Sequence, residues 1–279
     1  MPGREPRSYP LVVSESNDYV SLRETFNEDA ARYDRARPRY PERMFDDLAA
    51  AGVAPGARVL EIGCGTGQAT VALAERGYRI VAVELGPDMA AVARRNLSAF
   101  DEVTVVTAAF EEWPLPDEPF DVVFSATAFH WIDPAVRVSK SADALRPGGL
   151  LATVGTHHIA GGSWTAAFFA QIQQCYERFD PSTQPGLRLP AARDIVEDDR
   201  ELTASQRFGP ATFHRYEWEL AYSTADYLDL LLTYSGHRAL PEPNRSALLN
   251  CLARLIDADH GGQVIKRYLT ELRIAQRIW

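Results

Sequence analysis

The chain has 279 residues, 46% apolar and 24% charged, enough apolar material for one large domain with a sizeable core and too much for a disordered chain. Its net charge is -9 and its pI about 5.2. A phosphate backbone is repelled by that balance, and the densest basic stretch, Arg32 to Arg43, is interrupted by Asp34 and Glu42, so no nucleic-acid partner is expected.

No apolar run approaches the roughly 18 residues of a membrane span. Met1 to Pro10 lacks the apolar stretch of a signal peptide. Cys64, Cys175 and Cys251 are far apart, odd in number and without a Cys-x-x-Cys pair. The pattern predicts neither a disulfide framework nor a zinc module, and suits a reducing, cytoplasmic setting.

Residues 1–20 are polar and read as a flexible N-terminus. Ser21-Leu-Arg-Glu24 has the form of a capping box. Behind it Leu22, Phe26, Ala30 and Tyr33 fall at helical spacing until Pro38. Pro41 suits the first position of a second helix, with Met44, Phe45 and Leu48 on its apolar face and Gly52 past its end. These helices, over 21–52, form an expected lid.

A regular alternation follows. Strands are predicted at Arg58–Ile62, Arg79–Val83, Val103–Thr107, Asp121–Ser125 and Leu150–Val154, with helices at Gln68–Arg76, Asp88–Phe100 and Pro134–Leu145. Beyond them, Trp164–Phe179 reads as helix and Asp180–Gly209 as a long loop with a short helix. Thr212–Tyr222 reads as a sixth strand, Ala225–Tyr234 and Arg245–Ile256 as amphipathic helices, and Val264–Ile278 as a last strand. Strands alternating with helices imply a parallel sheet covered on both faces, with the strand C-terminal ends along one edge. The expected fold is α/β: a Rossmann-like, mostly parallel seven-stranded sheet with an N-terminal helical lid and a helical insertion after strand five. Residues 21–279 then form one domain, with a cofactor-binding core over 53–156, a cap over 157–210 and C-terminal strands and helices over 211–279.

The sharpest signal is Val59-Leu-Glu61-Ile-Gly63-Cys64-Gly65-Thr-Gly67. A strand runs into a glycine turn and then a helix. Glycine tolerates positive φ and lets a ligand approach bare backbone, while the helix start presents free N–H groups. Dinucleotide enzymes use G-x-G-x-x-G; here the glycines are spaced Gly63-x-Gly65-x-Gly67, with the acid Glu61 two positions before. Glu84 closes the second strand, where a carboxylate accepts ribose hydroxyls. An acid there also fits NAD, so an NAD-dependent oxidoreductase stays a minor alternative.

Val59 to Gly67 resembles motif I of class I S-adenosylmethionine-dependent methyltransferases. Val81-Ala-Val-Glu84-Leu85-Gly-Pro-Asp-Met89 resembles the following motif, with the ribose acid and a methionine near the adenine. Asp121-Val-Val-Phe124 and Leu145-Arg-Pro-Gly-Gly-Leu150 resemble the strand-four and strand-five motifs. The stretch Phe26 to Pro41 and the sequence His130-Trp131 are similar to the branch of trans-aconitate and ubiquinone/menaquinone methyltransferases. The resemblance leaves Asp180 to Gly209 uncovered.

It implies S-adenosylmethionine as cofactor, held by Glu61, Gly63, Cys64, Gly65, Gly67, Glu84, Leu85, Met89 and Ser125, with Tyr33 and Arg37 closing over its methionine end. Many relatives place an acid after strand three to bind adenine. Ala109 stands there in this chain, so the Phe110 amide or Glu111 takes its place. Methyl transfer needs alignment and exclusion of water, and needs a base only for a protonated nucleophile. His130 is the candidate base, with lining of the pocket floor as the blander role. His157, Trp131, Trp164, Tyr222 and Tyr234 are candidate substrate-pocket residues. His157 and His158 lack a third ligand at metal spacing, so no metal is expected.

The expected activity is O- or N-methylation of a small molecule, with a carboxylate acceptor suggested by the trans-aconitate branch. C-methylation of a quinone-like or natural-product ring, and a non-methylating cofactor-binding protein or cyclase, are the alternatives. The protein is expected to be a cytoplasmic monomer or homodimer. Gly65→Val is expected to abolish cofactor binding.

Overall fold

A computed structural model describes residues 25–278, apart from the side chains of Ser163 and Trp164. The capping box at 21–24, the expected flexible N-terminus and the Trp164 side chain therefore lie outside the described residues. The helices are α1 (Ala30–Ala36), α2 (Glu42–Ala50), α3 (Gln68–Glu75), α4 (Pro87–Asn96), α5 (Pro134–Ala144), α6 (Ser163–Phe179), α7 (Arg200–Ser205), α8 (Thr224–Leu231), α9 (Ser235–Ala239) and α10 (Glu242–Asp259). The strands are β1 (Arg58–Ile62), β2 (Arg79–Glu84), β3 (Val103–Thr107), β4 (Phe120–Ala126), β5 (Leu145–His158), β6 (Thr212–Ser223) and β7 (Gln263–Gln276).

They form one seven-stranded sheet in the order β3-β2-β1-β4-β5-β7-β6, and β1 to β5 pair in parallel. This is the Rossmann-like α/β sheet the alternation implied. Val59 to Ile62 are all buried, as strands covered on both faces require.

The chain divides into two compact units. The larger takes in residues 26–156, 197–216 and 270–278 among those described. In its core Met44, Phe45 and Leu48 of α2 pack with Val59, Leu73, Ile80 and Phe124. That helix thus buries its apolar face in the core layer. Pro41 stands at its cap position, one residue ahead of the expected place. Helix α4 begins at Pro87 and carries Asp88 in its first turn and Arg94 and Arg95 in its last, complementing its dipole at both ends.

The second unit takes in residues 157–196 and 217–269 among those described. Its core is Phe168, Ile172, Tyr227, Leu230, Leu248, Leu252, Ile256, Val264 and Tyr268. The unit boundary at 196/197 falls inside the segment read as a single cap.

Two expectations need correction. The first is the cysteine reading. Cys175 and Cys251, 76 residues apart, form a disulfide with an S–S distance of 2.05 Å, while Cys64 stays free and buried. Sequence separation hid the pair; packing of α6 against α10 brings the two Cα atoms to 5.9 Å. The second is strand five, expected over Leu150–Val154. It runs from Leu145 to His158, with its register shifted opposite Phe120 and Val122. The Asp121 carboxylate ties this bend, accepting from the Arg58 amide at 2.7 Å and from Arg146 Nε at 2.6 Å. His157 and His158 are accordingly the last residues of the strand.

Candidate functional site

The parallel register places the ends of four strands along one edge of the larger unit. Ile62 pairs with Val83, Glu84 with Thr107, and Val123 with Leu60. At that edge β1 breaks into the glycine turn. Gly63, Gly65 and Gly67 all have positive φ, at 69°, 59° and 88°. The Gly63 amide donates to the Val83 carbonyl at 2.8 Å, which pins the turn to β2. Gly67 then opens α3 in a left-handed conformation, leaving the first helical amides facing the turn.

Glu84 is the organising group. Its Oε2 accepts from the Gly65 amide at 2.9 Å and its Oε1 from the Gly86 amide at 2.8 Å. One carboxylate thus holds both the glycine turn and the β2–α4 turn, and each oxygen keeps lone pairs for further donors. Burial pushes its pKa up, and these backbone bonds oppose the shift.

Glu61 lies on β1, 1% exposed, and its Oε2 has no hydrogen-bond partner. Burial, with the Glu84 charge adding to it, pushes its carboxyl up to about 7. The unfolded group titrates near the ordinary value of 4.5, so the folded protein holds this proton more tightly. Its stabilising contribution is complete below pH 4.5 and is lost as pH rises through 7. We expect denaturant unfolding of wild type to show a loss of up to about 3 kcal/mol over that window, and Glu61→Gln to remove most of that slope. Parallel pH profiles of the two proteins would refute the assignment.

Around the turn, Met89 is buried with Ala30 and Val92, and the ring of Tyr33 packs against them. The Arg37 guanidinium lies 5.0 Å from the centre of the Tyr33 ring. Cys64 is buried, and burial raises its thiol pKa, with Glu61 and Glu84 nearby. Leu85 follows Glu84 in the β2–α4 turn. Ala109 and Phe110 follow β3; the Phe110 ring is buried in the core with Lys140 Nζ 5.3 Å from its centre. Glu111 accepts from the Asp133 amide at 3.3 Å. Ser125 is fully buried and donates to the Ile62 carbonyl at 2.9 Å, joining β4 to the last residue before the glycine turn.

His130 sits in a single 3-10 turn, Phe129–Trp131, just past β4. It is exposed, its ring 5.1 Å from that of Trp131, which in turn meets Phe26 at 5.5 Å. Tyr222 and Tyr234 lie in the second unit. Tyr222 shares a 2.7 Å hydrogen bond with Tyr268, and the Tyr234 hydroxyl accepts from Lys266 Nζ at 3.1 Å. The rings of His158 and His237 meet that of Tyr234 at 5.6 and 5.9 Å.

Three site features escaped the sequence reading. Thr127 adopts φ 53°, a left-handed conformation unusual for a β-branched residue, immediately before the Ala128–Trp131 segment. Tyr40 holds it there: the two hydroxyls are 2.9 Å apart. Asn27 caps α4, its Oδ1 accepting from the Asp88 amide at 2.7 Å. Each depends on residues at least 61 positions apart, so no local pattern marks them. Among the described residues no cluster of His, Cys, Asp and Glu forms a metal site, and no helix is long and apolar enough to cross a membrane.

A parallel sheet with a glycine turn after β1 and an acid ending β2 is a Rossmann-like arrangement. The methyltransferase-domain family pattern matches residues 60–153, the segment that builds it. An uncharacterized methyltransferase of Mycobacterium tuberculosis is 31% identical over 232 residues, covering 83% of this chain and 85% of that protein. The chain therefore belongs to the methyltransferase family. It is also 39% identical over 120 residues to the malonyl-[acyl-carrier protein] O-methyltransferase of Geobacter sulfurreducens, covering 41% of this chain and 45% of that one. A solved structure of a putative type II methyltransferase from Anaeromyxobacter dehalogenans is similar at 26% identity and a TM-score of 0.56, over 87% of this chain and 98% of that one.

Proposed function

We propose that this methyltransferase moves a methyl group from S-adenosylmethionine to a small acceptor that carries a carboxylate. The observation that carries the cofactor assignment is the pairing of Glu84 with the amide of Gly65, beside a buried Glu61 oxygen that has no partner. These groups suit the cofactor's polar parts. Glu84 would take the ribose hydroxyls, Glu61 and the Gly63–Gly67 turn the methionine end, and Arg37 its carboxylate. Met89, Leu85 and the Ala109–Phe110 segment would border the adenine. When bound, the cofactor supplies a sulfonium-activated methyl group for direct displacement.

The chain's own task is alignment and removal of water. Tyr33 and Arg37 would cover the turn. His130 and Trp131 occupy the loop after β4, where His130 would accept a proton from an acceptor that arrives protonated. An ionised carboxylate acceptor needs no such step, and His130 then serves as pocket wall. The carboxylate assignment is supported by the malonyl-carrier-protein relative, whose name records O-methylation.

Calorimetric titration with S-adenosylmethionine, S-adenosylhomocysteine and NAD tests this reading. Both sulfur compounds should bind and NAD should not. NAD binding, or failure of folded protein to bind either sulfur compound, would overturn it. His130→Ala should leave cofactor affinity unchanged and slow turnover at least tenfold on a protonated acceptor; equal rates make His130 a bystander.

A further inference from the structure

The loop after β4 lies in the larger unit and is anchored at its first residue. There the Thr127 amide donates to the Val154 carbonyl at 2.8 Å, and the Tyr40 hydroxyl meets that of Thr127. Beyond this anchor the amides of Trp131 and Ile132 donate to the carbonyls of Ala128 and Phe129, at 2.9 and 3.3 Å. Those bonds close the 3-10 turn without setting its rotation about its own axis. Phe129, 6% exposed, is the turn's buried residue. Such a helix has three residues per turn, so the side chains of Phe129, His130 and Trp131 leave it about 120° apart. The seat of the Phe129 ring therefore dictates where His130 and Trp131 point.

Two arginines reach that ring. The guanidinium of Arg137 on α5 lies 5.5 Å from its centre and that of Arg273 on β7 lies 6.0 Å from it, within range of attraction to a π face. One carboxylate holds both arginines. Glu201 Oε2 accepts from Arg137 Nε at 2.8 Å and Nη2 at 2.6 Å, and Glu201 Oε1 accepts from Arg273 Nη2 at 3.1 Å. Arg273 is fixed further, its Nε donating to Thr153 Oγ1 at 3.0 Å and its Nη1 to the Asp198 carbonyl at 2.9 Å. The arginine side chains are 19% and 14% exposed and that of Glu201 30%, so solvent screens this bridge less than it screens a surface pair. All these residues belong to the larger unit. Glu201 is supplied by α7, from the stretch Asp180 to Gly209 that the family motifs leave uncovered.

We propose that Glu201 is a positioning residue: by holding Arg137 and Arg273 against the Phe129 ring, it fixes the rotation of the turn and so the direction of the His130 and Trp131 side chains. Apolar neighbours would bury Phe129 without taking charge out of water. What the shared carboxylate adds is geometry. Each oxygen takes one arginine, and a planar guanidinium held by several N–H bonds cannot slide without breaking them. With Tyr40 at Thr127 and the arginines at Phe129, the loop has two anchors within three residues, as a left-handed threonine requires of its surroundings. Removing the Glu201 charge leaves two guanidinium groups beside one ring. They repel, and the ring loses its fixed seat. This deepens the proposed function and rests on it only for what His130 and Trp131 do once they are placed.

The test is fluorine NMR of the full chain labelled with 5-fluorotryptophan, with the Trp131 and Trp218 signals assigned by replacing each with phenylalanine. Glu201→Gln keeps the side chain's size and removes its charge. It should shift or split the Trp131 signal and leave in place that of Trp218, which lies in the second unit. Phe129→Leu should move the Trp131 signal too, and the double variant should match Phe129→Leu alone, because Glu201 acts through that ring. A merely structural role would make the two effects add. Arg137→Lys, which keeps the charge and loses the fork, replaces Glu201→Gln with the same expectations if the latter fails to fold. The assignment is overturned if the Trp131 signal stays in place, if Trp218 moves with it, or if the effects add. The spectra need no cofactor, so the two claims separate. Calorimetric titration of Glu201→Gln with S-adenosylhomocysteine should give an affinity within threefold of wild type. Failure of wild type to bind it defeats the cofactor reading, whereas normal binding with an unmoved Trp131 signal defeats only this one.

Discussion

Replacing Gly63 by alanine will abolish cofactor binding and leave a markedly less stable protein. A Cβ built on Gly63 falls 2.4 Å from the Cβ of Ala128, far inside van der Waals contact. Neither atom is the tip of a flexible side chain, so the backbone of the glycine turn or of the β4 loop must move. The residue also has φ +69°, where a Cβ costs about 1–2 kcal/mol. Adding an overpacking cost of about 1–3 kcal/mol gives a destabilisation of about 2–5 kcal/mol. The functional loss should exceed this, because the two segments that would separate carry the turn and His130. Thermal unfolding and titration with S-adenosylhomocysteine check both effects. A variant that binds within threefold of wild type would show that the turn is not the cofactor site.

Gly65 makes an instructive contrast. A Cβ there would meet Met89 Cε at 3.5 Å and Tyr33 Cε1 at 3.8 Å, ordinary contact distances. The expected harm in Gly65→Val comes from φ +59° and from filling the space beside a ligand, with a smaller stability cost than at Gly63.

Loss of the Cys175–Cys251 disulfide will have the second large effect. The bond closes a loop of 76 residues, and the chain-entropy relation for that length gives about 4.5 kcal/mol of stabilisation through the unfolded state. It joins α6 and α10, which carry Phe168, Ile172, Leu248 and Leu252 of the second unit's core. Cys175→Ser/Cys251→Ser, or wild type under a reducing agent, should unfold at distinctly lower denaturant than the oxidised protein. The transition should be seen first by probes in residues 157–196 and 217–269. Peptide mass mapping without reduction should recover the 175–251 cross-link. Equal midpoints for oxidised and reduced protein would show that the helix pair is held by packing alone.

The local sequence determined much of this protein. The Val59–Gly67 pattern, the acid closing β2, the alternation from Arg58 to Leu150 and the glycine and proline stops depend on neighbours within a few residues. Backbone preference and hydrophobic period therefore reveal them directly, and they define the sheet and the family. Other features came only from the tertiary structure, because they join residues distant in sequence. Tyr40 reaches Thr127, Asn27 reaches the start of α4, Cys175 meets Cys251, and Lys266 meets Tyr234. Lysine on a strand reads locally as a solvated residue, and cysteines so far apart read as free thiols. Only packing decides which lysine meets a tyrosine hydroxyl and which thiols lie within bonding distance, because those contacts are set by the fold as a whole and leave no periodic trace in the chain.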